Sequence, residues 1–499
     1  MTINNAIQNH QWGLHWFRRD LRLEDNLAFI QNYQRNEGRV LGFFCFDPTF
    51  LSRQDFSHNR FAFFLQTLKE LKTQLLSLEG DLIILEGRPQ EAFKKLFEFL
   101  QSRKVSLPQN ITFNRDYEPF ARKRDLELFK YFSEDLKIKV ETFRDHLILE
   151  PGEVLKDEEI PQSFYSVYTA FYKKWIKVII QPEKNLRIFH QIPKTKLNLK
   201  LTWKNLLGDD VSRLDCLEHY IKNNLAQVSI DLNNMPEAGH HAALNKLKKF
   251  KDKLKNYQTD RDLPSILGTS QISPYLKNGS ITSAQIIFWL EKNWEKFDLN
   301  QDVNKLYELQ FLKELVWREF FYHILWFRPE VESAAFNIKF KNISWENNQK
   351  KFDAWKLGIT GYPIVDAGMR ELNQTGNMHN RVRMITASFL IKDLHVDWRW
   401  GEKYFMEKLW DGDLAVNNGN WQWVAGTGCD AAPYFRIFNP MTQGKRFDPD
   451  AVYIKKYIPE LTHVSSKDIH LLNFKVSGYP SPIVNHDQAR LKTMELYKT

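Results

Sequence analysis

The chain has 499 residues and a formal net charge of +9, and its 43% hydrophobic and 26% charged residues exclude a disordered, collagen-like or coiled-coil protein. This length predicts two or three domains, and no stretch approaches the roughly 18 consecutive apolar residues of a membrane span. Aromatic residues reach 14% on a basic background, which suits a nucleic-acid partner as well as a phenylalanine-rich core.

The first 150 residues alternate short apolar runs with amphipathic stretches. Residues 60–78 have apolar side chains three and four positions apart, which predicts a helix. The alternation predicts a doubly wound, mostly parallel sheet. No GxGxxG segment follows the first strand, so this α/β pattern does not imply NAD. The predicted strands are residues 14–17, 40–46, 82–85, 111–113 and 138–143.

The pattern changes twice after this region. Residues 151–255 are rich in proline and lysine, and the six lysines of residues 246–255 fit a solvated helix face better than a surface that approaches DNA. From residue 257 onward, long helical patterns replace strands, as at 306–327 and 362–396. We therefore predict an α/β domain over 1–150, a connector with helices over 151–255 and an all-helical domain over 256–499.

One helical segment, residues 311–327, reads FLKELVWREFFYHILWF and is apolar on nearly every face, which predicts burial among other helices. Within it Glu314 and Trp317 share a face, and Arg318 is placed four residues from Glu314 to pair with it. A buried carboxylate needs a charge partner or a proton. Glu314 is therefore either half of an ion pair or a poised acid.

A second cluster lies in GNMHNRVRM, residues 376–384, where Asn380 and Met384 share a helix face. Asparagine offers a donor and an acceptor together, as the edge of a pyrimidine requires, and methionine offers a polarizable surface. An amphipathic helix with a core methionine explains the same pattern.

The most distinctive segment is DGDLAVNNGNWQW, residues 411–423. Aspartate, asparagine and glycine favour turns, so we predict a polar loop here and not a simple helix. Such a loop between aromatic residues suits a ligand with a large planar ring. The segment GTSQIS, residues 268–273, adds hydroxyls and backbone amides that suit phosphate at a helix start, although a generic turn explains it as well.

These motifs resemble the photolyase and cryptochrome family, and most closely its class I branch, which repairs cyclobutane pyrimidine dimers. The resemblance covers essentially the whole chain and includes WFRRDLRLEDN at 16–26, ELVWREF at 314–320 and MHNRVRMITASFLIKDL at 378–394, besides GTSQIS and DGDLAVNNGNWQW. It implies an enzyme in which photoexcited reduced FAD, bound in the helical domain, gives an electron to a dimer flipped out of UV-damaged DNA. The alternative is a cryptochrome blue-light photoreceptor with the same flavin and tryptophan chain.

The resemblance also implies roles for individual residues. The FAD-binding residues would be Tyr257, Thr269, Ser270, Gln271, Ile272, Ser273, Phe311, Arg383, Asp411, Gly412, Asp413 and Asn417, the last facing flavin N5. The catalytic residues would be Glu314, Asn380, Met384 and Asn417. The DNA contacts would be Arg261, Glu314, Trp317, Arg318, Asn380, Arg381, Met384 and Trp423. The electron-transfer chain would run, from the flavin outward, through Trp421, Trp398 and Trp345.

Four departures from the family pattern stand out. Gln271 replaces an arginine common in relatives, which makes one flavin-phosphate contact weaker or neutral. Asn377 stands where a tryptophan is common, and Phe311 where relatives have tryptophan or another large residue, which is a milder change. Residues 117–125 lack the Asn-Glu pair by which some members hold a folate antenna. A second chromophore, a folate or a deazaflavin, is therefore expected without a known identity.

The remaining expectations concern location and assembly. Cys45, Cys216 and Cys429 are far apart and odd in number, which predicts neither a disulfide framework nor a metal clip. The first twelve residues lack the basic start and apolar run of an export signal. We expect a monomer in the cytoplasm that binds damaged DNA, with no membrane partner and no metal.

Overall fold

A computed structural model describes residues 11–181, 197–228, 232–293 and 309–498. Its N-terminal part contains one sheet of five parallel strands in the order β3-β2-β1-β4-β5. The predicted strands are thereby confirmed, with ends that differ by at most one residue. The strands are β1 Gly13–Trp16, β2 Val40–Phe46, β3 Leu82–Glu86, β4 Asn110–Asn114 and β5 Lys139–Phe143.

Helices cover both faces of this sheet, as in a doubly wound fold. Alternate residues of β2 face opposite layers: Phe43 lies 4.3 Å from Phe93, and Phe44 lies 5.5 Å from Phe64, measured between ring centroids. The predicted fold class is confirmed. The helices of this part are α1 Leu27–Arg35, α2 Pro48–Leu51, α3 His58–Ser77, α4 Pro89–Ser102 and α5 Pro119–Lys130.

The connector supplies helices to both neighbouring parts. Its first helix packs on the helical domain, since Phe171 lies 5.3 Å from Phe320 between ring centroids. The domain boundaries at residues 150 and 255 stay a prediction. The connector helices are α6 Tyr168–Ile179, α7 Trp203–Leu207, α8 Val211–Leu214, α9 Leu217–Leu225 and α10 His240–Phe250.

The C-terminal part is helical, and its described residues from 257 onward contain no β-strand. Its helices are α11 Tyr257–Asp260, α12 Ser273–Asn278, α13 Ser283–Asn293, α14 Gln310–Phe327, α15 Gln349–Leu357, α16 Pro363–Thr375, α17 Asn380–Lys392, α18 Trp398–Lys408, α19 Leu414–Ala425, α20 Pro440–Phe447, α21 Val452–Tyr457, α22 Ser466–Leu471 and α23 His486–Leu496. The start of the predicted stretch 306–327 falls at residues 306–308, which lie outside the described residues.

The helical pattern predicted over residues 362–396 is interrupted. Helix α16 ends at Gly376, whose φ of 67° is the left-handed conformation that glycine adopts without strain. Helix α17 begins after His379, whose ring accepts a hydrogen bond from the Arg381 amide at 3.2 Å. The break turns the chain between two helices that pack on each other, so that residues 377–384 lie at a helix start.

The polar loop predicted for residues 411–423 is wrong, because α19 occupies most of this segment. Asp413 caps the helix by accepting from the Val416 amide at 3.2 Å. Asn417 and Asn418 donate to distant carbonyls, those of Glu402 and Val331, each at 2.9 Å, while Asn420 donates to the Val416 carbonyl of its own helix at 2.8 Å. Gly419 lies against Phe321, where an added Cβ would come within 2.0 Å of the ring. Tertiary contacts thus override the turn preference of these residues.

Two absences apply to the described residues only. None of the helices within 11–181, 197–228, 232–293 and 309–498 is long and apolar enough to span a bilayer. The same ranges contain no cluster of three or more His, Cys, Asp or Glu side chains that could bind a metal ion.

Candidate functional site

Three distant segments meet at the carboxylate of Asp411. Ser273, which ends the GTSQIS turn, donates from Oγ to Asp411 Oδ2 at 2.7 Å, and Arg383 of α17 donates from Nη2 to the same oxygen at 3.1 Å. Burial alone would raise the pKa of Asp411, but Arg383 and Ser273 hold it below the ordinary value. The turn predicted to suit phosphate is therefore adjacent to the Arg383–Asp411 ion pair, whose two residues the resemblance assigns to FAD binding.

This donor set fits FAD. Thr269 and Ser270 are partly exposed in the turn, and with the backbone amides they offer neutral donors of the kind that bind phosphate. Arg383 adds a cation whose side chain remains 24% exposed beside Asp411. Asn377, one of the departures from the family pattern, is exposed and its Oδ1 lies 3.5 Å from Arg383 Nη2.

An aromatic wall lies next to the turn. Tyr257 and Phe311 are buried, with ring centroids 5.3 Å apart, and Phe250 of α10 lies 4.9 Å from Phe311. Ile272 is buried, while Gln271 is exposed with a φ of 54°. Helix α12, which follows the turn, has only six residues. A phosphate at this turn would therefore depend on the turn's own donors and on nearby cations, and not on a long helix.

Asp413 joins the α/β part of the molecule to the site. Its Oδ2 accepts from Arg19 at 2.8 Å, from the Tyr322 hydroxyl at 2.5 Å and from Lys277 at 3.2 Å. Burial would raise the pKa of Asp413, yet Lys277 and Arg19 hold it well below the ordinary value. The sequence did not predict a role for Arg19, Lys277 or Tyr322, although Arg19 belongs to the WFRRDLRLEDN motif.

This buried ion cluster positions α19. Asp413 is the residue before the helix, and its carbonyl accepts from the Asn417 amide at 2.8 Å. Asn417 is half-buried, and its Nδ2 donates to the Glu402 carbonyl at 2.9 Å, which fixes the orientation of the carboxamide. A Cβ added at Gly412 would come within 2.2 Å of Arg60 Nη1, so a larger residue there would displace the Arg60 side chain. Arg60 in turn donates to the carbonyls of Met406 and Leu409 at 2.5 and 3.2 Å.

Glu402 has a buried carboxyl group and lies next to Asn417 and Asn418. Replacing Glu402 with glutamine is expected to change how the stability of the protein depends on pH. Burial raises the pKa of Glu402 to about 8 from an ordinary value of 4.5. Between these two values the folded state holds a proton that the unfolded chain releases, so stability falls as pH rises through that window. Its Oε1 accepts from Asn418 Nδ2 at 3.0 Å, a bond that the amide of Glu402→Gln can keep.

Thermal unfolding across that window, followed for both proteins, checks this. The melting temperature of Glu402→Gln should gain on that of the wild type as pH approaches 8, since the amide has no proton to lose. Parallel pH profiles would contradict the raised pKa.

Glu314 is half of an ion pair, which confirms the first of the two alternatives for it. Its partner is Arg261, through Arg261 Nη1 and Glu314 Oε1, and Gln310 Nε2 donates to the same oxygen at 2.6 Å. The predicted pairing with Arg318 is wrong. Arg318 donates instead to the His146 carbonyl at 2.9 Å. It turns toward the α/β part because His146 offers a backbone acceptor there, while Arg261 arrives at Glu314 from the end of α11.

Arg381 lies at the start of α17 and connects to the same surface. It donates to Asp262 at 2.8 Å, the residue that follows Arg261, and its Nη1 lies 3.9 Å from Met384 Sδ. Asn380, the first residue of the helix, is exposed. Glu314, Arg261, Arg381 and Met384 thus form one chain of contacts, which we call the rim, although Glu314 and the pair Arg381 and Met384 come from two separate motifs and Arg261 from neither.

The two tryptophans implied to stack on bases have different surroundings. Trp317 stacks on Tyr168 of α6 with ring centroids 3.7 Å apart and an interplanar angle of 7°. One face of this indole is therefore covered by protein, which restricts a base to its other face or its edge. Trp423 is half-buried at the end of α19.

Of the three tryptophans implied to transfer electrons, Trp398 lies on α18, Trp421 lies on α19, and Trp345 lies in the loop before α15. Trp421 is 2% exposed, and Gly401 lies so close that an added Cβ would approach Trp421 Cη2 to 2.1 Å. Trp398 lies three residues before Gly401 and so on the same helix face. The half-buried Trp345 precedes Glu346, whose amide donates to the His395 carbonyl at 3.0 Å. The sequence did not predict a place for Trp355 in the electron-transfer chain, although its ring centroid lies 6.3 Å from that of Trp421.

A crevice in the α/β part lies at the carboxyl ends of β1 and β4, where the strand order reverses. Open α/β sheets bind ligands at this point. The crevice is lined by Arg18, Asp20, Asn114 and Asp145 among others. Arg18 pairs with Asp125 there. The second chromophore stays a prediction.

Comparison with known proteins gives concordant results. The family model for DNA photolyase matches residues 13–188, and the model for the FAD binding domain of DNA photolyase matches residues 311–499. A deoxyribodipyrimidine photo-lyase from Alkalihalophilus pseudofirmus is 36% identical over 499 residues, which cover 97% of each chain. A class III photolyase from Agrobacterium tumefaciens is similar in structure, with a TM-score of 0.79, 33% identity and 98% of each chain covered. A cryptochrome from Synechocystis sp. PCC6803 has a TM-score of 0.77 and 25% identity, with 97% of this chain and 99% of that one covered.

Proposed function

Because this chain belongs to the DNA photolyase family and its helical half is that family's FAD-binding domain, we propose that it splits cyclobutane pyrimidine dimers in UV-damaged DNA with the energy of blue light. The observation that carries the proposal is the likeness to deoxyribodipyrimidine photo-lyases over nearly the whole chain. The rim formed by Glu314, Arg261, Arg381 and Met384 supports it, because these are the side chains that a flipped dimer would meet.

The cofactor supplies the electron chemistry: bound FAD, reduced and excited by light, would donate an electron to the dimer and take it back after the ring opens. Arg383 holds a positive charge beside the ring, and Asp411 holds Arg383 in place at 3.1 Å. Such a fixed cation stabilises negative charge on the cofactor. Asn417 presents a carboxamide whose orientation the Glu402 carbonyl fixes at 2.9 Å.

The rim residues act on the DNA. A dimer inside a duplex must be extruded before any enzyme can reach it, as photolyases as a class do. Arg261 and Arg381 carry positive charge at the rim, which contributes salt-dependent affinity for phosphates without sequence preference. Glu314, held by Arg261 and Gln310, would hydrogen-bond the extruded dimer, and Met384 would pack against it.

The branch within the family is a finer question. The motif resemblance favours class I, while a photolyase described as class III is among the similar structures. The proposal therefore specifies the reaction, the splitting of pyrimidine dimers, and not the class of photolyase. We further propose that the protein acts as a monomer in the cytoplasm, which the free thiols Cys45, Cys216 and Cys429 support because such thiols are typical of reducing compartments.

The decisive experiment combines an absorption spectrum with a repair assay. The purified protein is expected to contain bound flavin, and after chemical reduction it should restore a dimer-containing oligonucleotide under blue light and leave it damaged in the dark. Repair should decrease at high salt, because Arg261 and Arg381 of the rim would contact DNA phosphates. A second absorption band would report an antenna chromophore.

The cryptochrome alternative is supported by the structural likeness to the Synechocystis protein. Bound flavin that photoreduces normally, together with no repair of dimers under light, would overturn the repair proposal in favour of a photoreceptor.

A further inference from the structure

Lys246 places a cation beside the GTSQIS turn. It lies on α10, and its Nζ donates to Gln271 Oε1 at 3.0 Å. Lys253, which lies beyond the end of α10, donates from Nζ to the Leu267 carbonyl at 2.6 Å. Two of the six lysines of residues 246–255 therefore hydrogen-bond to the turn at Gln271 or to Leu267 just before it.

The partner of Lys246 is neutral. Burial and the neighbouring Lys249 lower the pKa of Lys246, and Glu237 opposes this change. The salt bridges of the described residues include none at Lys246. A half-buried ammonium group that hydrogen-bonds only a carboxamide gains more from an anion, because a hydrogen bond between ionised groups is roughly twice as strong as a neutral one.

The turn itself supplies only neutral donors. Thr269, Ser270, Gln271 and Ser273 offer hydroxyls, an amide and backbone N–H groups, whereas a diphosphate is an anion. Arginine, which relatives carry at position 271, would supply charge from the turn; Gln271 does not. In this chain the positive charge beside the turn is that of Lys246 on α10.

We propose that Lys246 is the cation that binds the diphosphate of FAD in this protein, and that Gln271 orients it. This inference rests on the proposed function only in naming FAD as the ligand. The ammonium group needs to exchange one acceptor, Gln271 Oε1, for a phosphate oxygen on the same turn. The departure at position 271 is thereby compensated from a residue 25 positions earlier in the chain.

The test is FAD binding, measured without reference to repair. Protein stripped of flavin is titrated with FAD and, separately, with riboflavin, which has no phosphate. Lys246→Gln is expected to weaken FAD affinity roughly tenfold or more and to flatten its salt dependence, while riboflavin affinity stays that of the wild type. Lys248→Gln, the same charge change at an exposed position of the same helix, should bind both as the wild type does.

A charge transfer between the two positions completes the design. The double variant Lys246→Gln with Gln271→Arg should regain FAD affinity, because the cation returns to the turn. FAD binding by Lys246→Gln that equals that of Lys248→Gln would overturn the inference, and so would an equal loss for riboflavin. Failure of the wild type to bind FAD at all would instead overturn the proposed function.

Discussion

Trp421→Phe is expected to abolish photoreduction of the bound oxidised flavin and to leave repair by chemically reduced protein unchanged. Indole is easily oxidised and can pass an electron on, whereas the phenyl ring of phenylalanine cannot. Repair by reduced enzyme returns its electron locally and needs no chain. The measurement is flavin bleaching under blue light with an external reductant, alongside dimer repair by dithionite-reduced protein.

The structure supports Trp421 as the first member of the chain. Its buried ring packs on Gly401, one helical turn from Trp398, and the amide of Glu346, the residue after Trp345, donates to the His395 carbonyl. Phenylalanine keeps most of the apolar contact with Phe405, whose ring centroid lies 4.9 Å from that of Trp421. The variant should therefore fold and retain flavin.

Two further variants distinguish the routes out of Trp421. Trp398→Phe should block photoreduction as Trp421→Phe does, and Trp355→Phe should not. Trp355 is a stringent control because it also contacts Trp421, at 6.3 Å between ring centroids. Photoreduction that survives Trp398→Phe and fails in Trp355→Phe would discard the assigned order.

Glu314→Ala is expected to lower the yield of repair per absorbed photon while the bound flavin content stays that of the wild type. The carboxylate is the one anionic group of the rim that Arg261 and Gln310 hold in place together. A hydrogen bond to a charged group contributes about 1.5–3 kcal/mol, which corresponds to roughly a tenfold to hundredfold effect. The measurement is repair against absorbed light at saturating damaged DNA.

Binding and repair should separate in this variant. Loss of Glu314 frees Arg261 for DNA phosphates, so affinity for damaged DNA should hold or rise while repair falls. Glu330→Ala removes an exposed carboxylate just beyond the same helix and should change neither quantity. Equal repair yields for Glu314→Ala and Glu330→Ala would remove Glu314 from the mechanism.

The α/β part could be predicted closely because its strands are read locally. A parallel strand covered on both faces is a continuous apolar run, and all seven residues of β2, VLGFFCF, are buried. The family resemblance likewise rests on contiguous motifs. Elements and motifs that are contiguous in the sequence could therefore be predicted.

The other contacts of the site depend on residues that are distant in the sequence, so only the tertiary structure determines them. Glu314 pairs with Arg261, 53 residues away, and not with Arg318 one turn along its own helix, because His146 offers Arg318 a backbone acceptor in the α/β part. Residues 414–425 form a helix because Val331 and Glu402 accept the side-chain hydrogen bonds of Asn417 and Asn418.

What the sequence alone determined is thus the fold class, the family and the residue types of the site. What only the folded chain decided is which charges meet: Arg19 with Asp413, Arg261 with Glu314 and Lys246 with the turn at Gln271. Local spacing limits which side chains of one helix can meet, but an ion pair forms with whichever charge the packing of distant elements brings within reach.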